Sequence, residues 1–299
     1  YLPHATSLRM GRLGYQSQAQ AALCVSYNSL ERYAASLQDA LTRPYPAYEA
    51  IAIRNPGGEY NQLAASLLQI ENEFYSTIRP KRVIRHGERP LHALRERGIE
   101  YVEVRCMDLD PFEPVGIGPA TMRLLDVFLL HCLLSDSPPD TPQEVAALGR
   151  NQDRTAMRGR EPGLELERGD REVLLVDWAA ELLEGCVPIA AALDAAHGGN
   201  AYREALAAAL ALLGNRARLP AARVLDAINQ RGRSYVRFAL ARSEATKKAL
   251  LALPFPPTVQ ARFEREAAES IAEQKRLEAT DTLPFEEFRL KYLAAESLG

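Results

Sequence analysis

Ile99-Glu100-Tyr101-Val102-Glu103-Val104-Arg105 is the stretch whose reading decides the fold. In an extended chain every second side chain shares a face. Val102 and Val104 then form a side suited to core packing, while Tyr101, Glu103 and Arg105 form the other. A carboxylate and a guanidinium two residues apart stand roughly 7 Å apart at the backbone. That spacing lets one hold a cation while the other holds an anion. A solvated sheet face with a weak cross-charge pair, worth ~0–1 kcal/mol, fits the same pattern.

Outward from that strand, Gln69–Tyr75 reads as a second extended segment, with Gln69, Glu71, Glu73 and Tyr75 on one face and Ile70, Asn72 and Phe74 on the other. Two acids in register call for a cation or an arginine nearby, and Arg79-Pro80-Lys81-Arg82 follows directly. From Arg79 to Arg97 the residues Arg79, Lys81, Arg82, Arg85, Arg89, Arg95 and Arg97 are offset only by Glu88 and Glu96. Guanidinium forks match phosphate oxygens, so this stretch reads as a polyphosphate clamp or as a solvated basic loop. Composition alone favours the loop. Tyr48–Ile53 is a third, shorter strand candidate.

Helices dominate the remainder. Asn28–Leu41 places Leu30, Tyr33, Ala34, Leu37 and Leu41 at helical spacing. Pro119–Leu134 is apolar nearly all round, which predicts burial between other elements. The Ser135–Asp140 cluster breaks the chain, after which Thr141 and Glu144 form a capping box with Pro142 at the first helical position. A Gly- and charge-rich loop is expected over Gly159–Asp170. Helices follow over Asp177–His197, Ala201–Leu213 with Gly214 as stop, Ala221–Arg242, Thr258–Thr280 and Pro284–Ala295, the last behind Thr282 as N-cap. The fold class is α+β, an antiparallel sheet with helices segregated to one side. Residues 1–135 are expected to form the sheet-bearing part and 136–299 the helical part.

The chain has 299 residues, 36 Lys+Arg and 39 Asp+Glu, and a formal net charge of -3, which weighs against a protein that coats nucleic acid. Nucleic-acid binding through Arg79–Arg97 would bring an affinity that falls steeply with salt. No run approaches the ~20 apolar residues that span a bilayer. Cys24, Cys106, Cys132 and Cys186 stand singly, which reads as reduced thiols of a cytoplasmic protein. His4, His86, His92, His131 and His197 show no ligand spacing. Neither a GxxxxGK[ST] phosphate loop, a GxGxxG fingerprint, an HExxH nor a GxSxG motif is present. A nucleotide would have to be handled by carboxylate-held magnesium and arginines on a sheet. The sequence begins at Tyr1 within a patterned segment and reads as a fragment.

Several ordered blocks together resemble bacterial glutamate–cysteine ligase of the proteobacterial type. They are Tyr1-Leu2-Pro3 with Ala5-Thr6-Ser7-Leu8-Arg9, Leu13-Gly14-Tyr15, Leu68-Gln69-Ile70-Glu71-Asn72-Glu73 with Tyr75, Ile78–Arg82, and Gly98–Arg105. Asp108, Pro111 and Phe112, Gly159-Arg160 with Pro162-Gly163-Leu164, and Ala279–Thr282 with Pro284-Phe285 continue the match. The resemblance implies a glutamine synthetase-like fold, with a curved antiparallel sheet forming a funnel. It implies ATP- and Mg2+-dependent ligation of the L-glutamate γ-carboxylate to the amine of L-cysteine through a γ-glutamyl phosphate, the first step towards glutathione. By the same resemblance Glu103 is the magnesium carboxylate and Arg105 acts on the reacting phosphate and carboxylate. Arg9 holds glutamate, and Tyr15 and Tyr75 line the cysteine pocket. Arg79 and Arg82 reach nucleotide phosphates, and Glu71 and Glu73 serve as metal or structural carboxylates. The family is longer, and its N-terminal half carries most of the metal-binding glutamates. The expectation is therefore a C-terminal piece, inactive alone, that works with the missing half in cis or as a second chain. The alternative is a non-catalytic structural or regulatory subunit of the same fold.

Overall fold

The computed structural model describes residues 1–21 and 23–299. In chain order the elements are α1 (Leu30–Thr42), α2 (Pro46–Glu49), β1 (Ile78–Lys81), α3 (Pro90–Arg97), β2 (Tyr101–Val104), α4 (Pro119–Leu134) and α5 (Pro142–Arg158). They continue with β3 (Glu165–Arg168), β4 (Arg171–Leu174), α6 (Leu175–Gly185), α7 (Val187–His197) and α8 (Ala201–Gly214). Then come α9 (Pro220–Asn229), α10 (Tyr235–Leu251), α11 (Pro257–Thr280) and α12 (Phe285–Leu293). The class is α+β, mostly helical, with two small two-stranded sheets, β1–β2 and β3–β4.

Two compact units share the chain, each assembled from separated stretches. The first comprises Tyr1–Asn28, Tyr75–Ile78 and Val104–Ala245. The second comprises Ser29–Phe74, Arg79–Glu103 and Thr246–Gly299.

In the first unit α4 and α7 pack on α8 around Val127, Cys186, Ala190 and Leu206, with Leu124, Phe128, Leu183 and Leu210 closing the cluster. The pattern of α4 predicts burial all round, yet only Val127 is buried and Met122, Leu133 and Leu134 are exposed. Among the described residues the helix is covered on one side only. The Asp177–His197 helix is two helices, because Pro188 has no N–H to continue the hydrogen-bond ladder from α6. A second break separates α9 from α10, where Gly232 and Arg233 take left-handed φ of 66° and 58°. The expected loop over 159–170 contains β3, which pairs antiparallel with β4 through a two-residue turn at Gly169-Asp170. Thr141 caps α5 as its box predicts, its side chain accepting from the Glu144 N–H at 3.2 Å.

The second unit is organised by α1 and α3, which pack together and against the turn Ala295–Leu298. Ser29 caps α1, and Tyr33, Ala34, Leu37, Ala40 and Leu41 face inward as their spacing requires. Three expectations fail here. Gln69–Tyr75 is not a strand but carries a single 3-10 turn over Glu71–Glu73. Tyr48–Ile53 is not a strand either: Pro46 starts α2 with its φ preset for a helix. Pro284, not Thr282, stands at the N-cap position of α12.

Glu71 turns inward to Arg89, which is 2% exposed, and the guanidinium meets both carboxylate oxygens, at 3.1 and 2.9 Å from Nε. Arg89 also donates to the Tyr292 carbonyl at 2.5 Å and lies 4.5 Å above the Tyr292 ring. Removing one partner of so dry a pair strands the other charge. Glu71→Ala should therefore destabilise this unit by about 3–5 kcal/mol in chemical denaturation. Near the surface, Arg289 first, then the Tyr60 hydroxyl and Arg54, hold the Glu286 carboxyl down to about 2 from the ordinary 4.5. A carboxyl depressed on folding stabilises above its unfolded value and loses that contribution as pH falls through about 2. The Glu286 carboxyl resonance should titrate near 2 in NMR, and Arg289→Met should move it upward.

Candidate functional site

The N-terminal segment of the first unit has neither helix nor strand over residues 1–21 and is held by hydrogen bonds to the end of α5. Thr6 N–H donates to the Ala156 carbonyl at 2.9 Å, and Arg160 Nε donates to the Ala5 carbonyl at 3.0 Å. Gly159 is needed at that contact: a Cβ there would stand 2.7 Å from Thr6 Cγ2 and 2.5 Å from the Thr155 carbonyl. Beyond Arg9 the chain doubles back through Gly11 and Gly14 until Tyr15 N–H donates to the Arg9 carbonyl at 2.5 Å. Gly14 has to be glycine, because a Cβ would collide with the carbonyls of Leu8 and Arg9.

That return places the Tyr15 ring against two guanidiniums. Arg9 Cζ lies 4.4 Å from the ring centroid and Arg105 Cζ 5.0 Å from it. Arg105 Nε donates to the Tyr15 hydroxyl at 2.7 Å, and Arg9 Nε donates to the Arg105 carbonyl. Tyr75 closes the group, its ring centroid 4.5 Å from that of Tyr15 at 53°. Its backbone N–H is held by Gln20 Oε1 at 3.0 Å. Four expected residues, Arg9, Tyr15, Tyr75 and Arg105, thus form one cluster although 96 positions separate Arg9 from Arg105. Each cation–π contact contributes about 0.5–2 kcal/mol. Beside them burial pushes the Cys106 thiol up, while the nearby Arg9 charge works the other way.

The other expected residues belong to the second unit. Glu103 Oε2 is buried and lies 3.4 Å from Lys81 Nζ. Val102, expected on a core face, is 45% exposed, and Tyr101 on the opposite face is 49% exposed. The buried Arg79 donates to the Asn72 carbonyl at 3.1 Å and to the Phe74 carbonyl. Arg82 donates to the Gly98 carbonyl at 3.0 Å, to the Arg97 carbonyl, and to Glu100 at 3.4 Å. Both arginines staple backbone. Glu71 belongs to the Arg89 pair, and Glu73 accepts from the Gln69 N–H at 2.8 Å. Glu88, His92 and Glu96 gather ligand atoms within 4.8 Å of one another, but Arg97 pairs with both acids. Sequence reasoning missed Gln20 and Gly14 as supports of the cluster. In the first unit a hollow of about 670 Å³, lined by Leu130, His131, Pro188, Ile189 and Leu193 among others, is apolar and has no part in this arrangement of charge.

The family model for glutamate–cysteine ligase matches residues 1–155, which include Arg9, Tyr15, Tyr75, Arg79, Arg82, Glu103 and Arg105. The chain belongs to the glutamate–cysteine ligase family. It is 47% identical over 295 residues to the glutamate–cysteine ligase of Azotobacter vinelandii, covering 99% of this chain and 56% of that protein. To the ligase of a Janthinobacterium species it is 48% identical over 288 residues, covering 96% and 54%. The crystal structure of Francisella tularensis glutamate–cysteine ligase in complex with AMP superposes with a TM-score of 0.89 at 34% identity, over 97% of this chain and 57% of that one. A bifunctional glutathione synthetase from Pasteurella multocida shares the fold, with a TM-score of 0.57 at 21% identity. The chain spans about half the length of the curated ligases it matches. Among the described residues no helix is long and apolar enough to cross a membrane.

The close approach at Gly14 yields a direct test. Gly14→Ala should destabilise the chain by about 1–3 kcal/mol through overpacking. Gly149→Ala, at an open position inside α5, should stabilise it by up to about 1 kcal/mol. Urea denaturation of the two variants makes the comparison.

Proposed function

We propose that this chain supplies the substrate-carboxylate part of a glutamate–cysteine ligase, which joins the γ-carboxylate of L-glutamate to the amine of L-cysteine at the expense of ATP, the first step of glutathione synthesis. The observation that carries the reading is the Arg9–Tyr15–Arg105 cluster within the part that matches the family. A carboxylate is a poor electrophile, and transfer of a phosphoryl group to it supplies the leaving group that a later amine attack displaces. Catalysis of such a step consists mostly of positioning and charge stabilisation.

In this reading Arg9 holds a glutamate carboxylate, and Arg105 presents its planar fork to the reacting carboxylate and the phosphoryl oxygens as charge accumulates there. Tyr15 orients both guanidiniums and, with Tyr75, walls the place where the cysteine amine arrives. Arg79 and Arg82 have less support as phosphate contacts, because each is engaged with backbone carbonyls. The AMP complex of the Francisella ligase supports a nucleotide site in the family, and we assign ATP as co-substrate here.

Magnesium demands an oxygen shell of near-octahedral geometry. Glu103 has the right donor chemistry, but its buried oxygen faces Lys81 and one carboxylate does not make the shell. The residues of this chain thus do not fit the ion by themselves, and no step is derived through it. The further ligands and the rest of the sheet, of the curved glutamine synthetase-like type, are assigned to the remainder of the ligase, in cis or as a second chain. The free thiols of all four cysteines support a cytoplasmic location.

The test is turnover in the complete enzyme. Arg105→Lys keeps the charge but loses the fork, so kcat/KM should fall by about 10²-fold or more in an enzyme that still folds, as checked by circular dichroism. Glu103→Gln should raise the magnesium concentration needed for half-maximal rate. The isolated 299-residue chain should release no phosphate from ATP in the presence of glutamate and cysteine. Arg105→Lys within threefold of the parent enzyme would falsify the reading.

A further inference from the structure

Asp108 lies three residues beyond Arg105, and its carboxylate faces the loop that carries Arg9. Oδ1 accepts from two consecutive backbone N–H groups, Leu8 at 3.0 Å and Arg9 at 2.8 Å. The other oxygen accepts from the Ser7 hydroxyl, whose oxygen accepts in turn from the Met10 N–H at 2.9 Å. Consecutive N–H groups converging on one point make an anion-binding concavity, and here its anion is Asp108. One short segment thus grips the loop twice. The Arg105 carbonyl takes the Arg9 side chain, and the Asp108 carboxylate takes its backbone.

An arginine has a long, rotamer-rich side chain, and ordering it costs entropy on every binding event unless the protein has already done so. With Nε fixed on a carbonyl, the ring of Tyr15 beneath and the backbone clamped, Arg9 is ordered in advance. We infer that Asp108 is the positioning residue of the carboxylate site, fixing the Arg9 loop so that the Arg9 and Arg105 guanidiniums keep a constant spacing. This rests on the reading of Arg9 as the residue that holds glutamate. Asp108 itself touches no reacting atom in this arrangement. Its effect passes wholly through Arg9.

In the complete ligase, Asp108→Ala should raise the KM for glutamate about tenfold or more, the scale of a small misplacement of a binding group, with the KM for ATP within about twofold of the parent. Asp108→Asn should recover most of the loss, since its amide oxygen still accepts from Leu8 and Arg9. A group acting only through Arg9 adds nothing once Arg9 is altered. The Arg9→Lys, Asp108→Ala double variant should therefore be no worse than Arg9→Lys alone. Independently of turnover, amide hydrogen exchange in the peptide spanning Ser7–Met10 should accelerate in Asp108→Ala.

An unchanged glutamate KM in Asp108→Ala, additive losses in the double variant, or unaltered exchange would each overturn the inference. If Asp108→Ala does not fold, Ser7→Ala, which removes the donor to the other Asp108 oxygen, provides the same tests at smaller amplitude. If Arg9→Lys leaves the glutamate KM at its parent value, the reading of Arg9 falls and takes this role with it. A failure of the inference alone leaves Arg9→Lys impaired and Asp108→Ala silent.

Discussion

Two like charges held against one phenol ring set the terms for everything near the site. Guanidiniums repel, and they stay together only where the surroundings compensate them. For Arg9 that compensation comes from dipoles: the Arg105 carbonyl and the face of Tyr15. Dipoles lower the energy of a cation without cancelling its charge. A guanidinium held by dipoles in this way has its orientation fixed in advance.

Fixing them draws on distant parts of the chain. The first unit takes in residues 1–28, four residues around Tyr75, and the long stretch from Val104. Segment 1–21, lacking regular structure of its own, takes its shape from α5, Arg160 and Asp108. A segment ordered in this way satisfies its backbone polar groups through partners elsewhere in the sequence, as a buried or half-buried chain must. The two close approaches, at Gly14 and Gly159, mark where the backbone comes too near for a side chain.

What was legible in the sequence was local. Leu30–Thr42 declares its buried face by spacing, and Thr141 declares its helix by a hydroxyl three residues ahead of Glu144. The hairpin over β3 and β4 was also within reach, because Gly169-Asp170 between Leu166 and Val173 is a turn signal that the surrounding charges obscured. Gln69–Tyr75 misled for a deeper reason. Its alternation is real, but Glu71 is drawn to Arg89 across the fold and Glu73 turns back on the Gln69 N–H, and neither bond is compatible with a pleated strand. The blocks around Arg9, Tyr15, Tyr75 and Arg105 could be singled out one by one by resemblance. Their meeting at a single ring depends on the return at Gly14, which no periodicity encodes.

The basic stretch from Arg79 to Arg97 shows what separates an arginine that builds from one available to bind. Composition treats them alike. A guanidinium has five N–H donors in a fixed plane, so the question is how many the protein has already used. Arg79 and Arg82 stitch carbonyls, Arg89 is sealed on Glu71, and Arg97 bridges Glu88 and Glu96. The Glu88 carboxyl is correspondingly held down to about 2 by Arg97. Arg9 differs in kind: among the described residues its guanidinium meets one carbonyl and one ring rather than a carboxylate. Donor accounting of this sort needs coordinates, because composition treats alike the arginines that staple this stretch and those gathered around Tyr15.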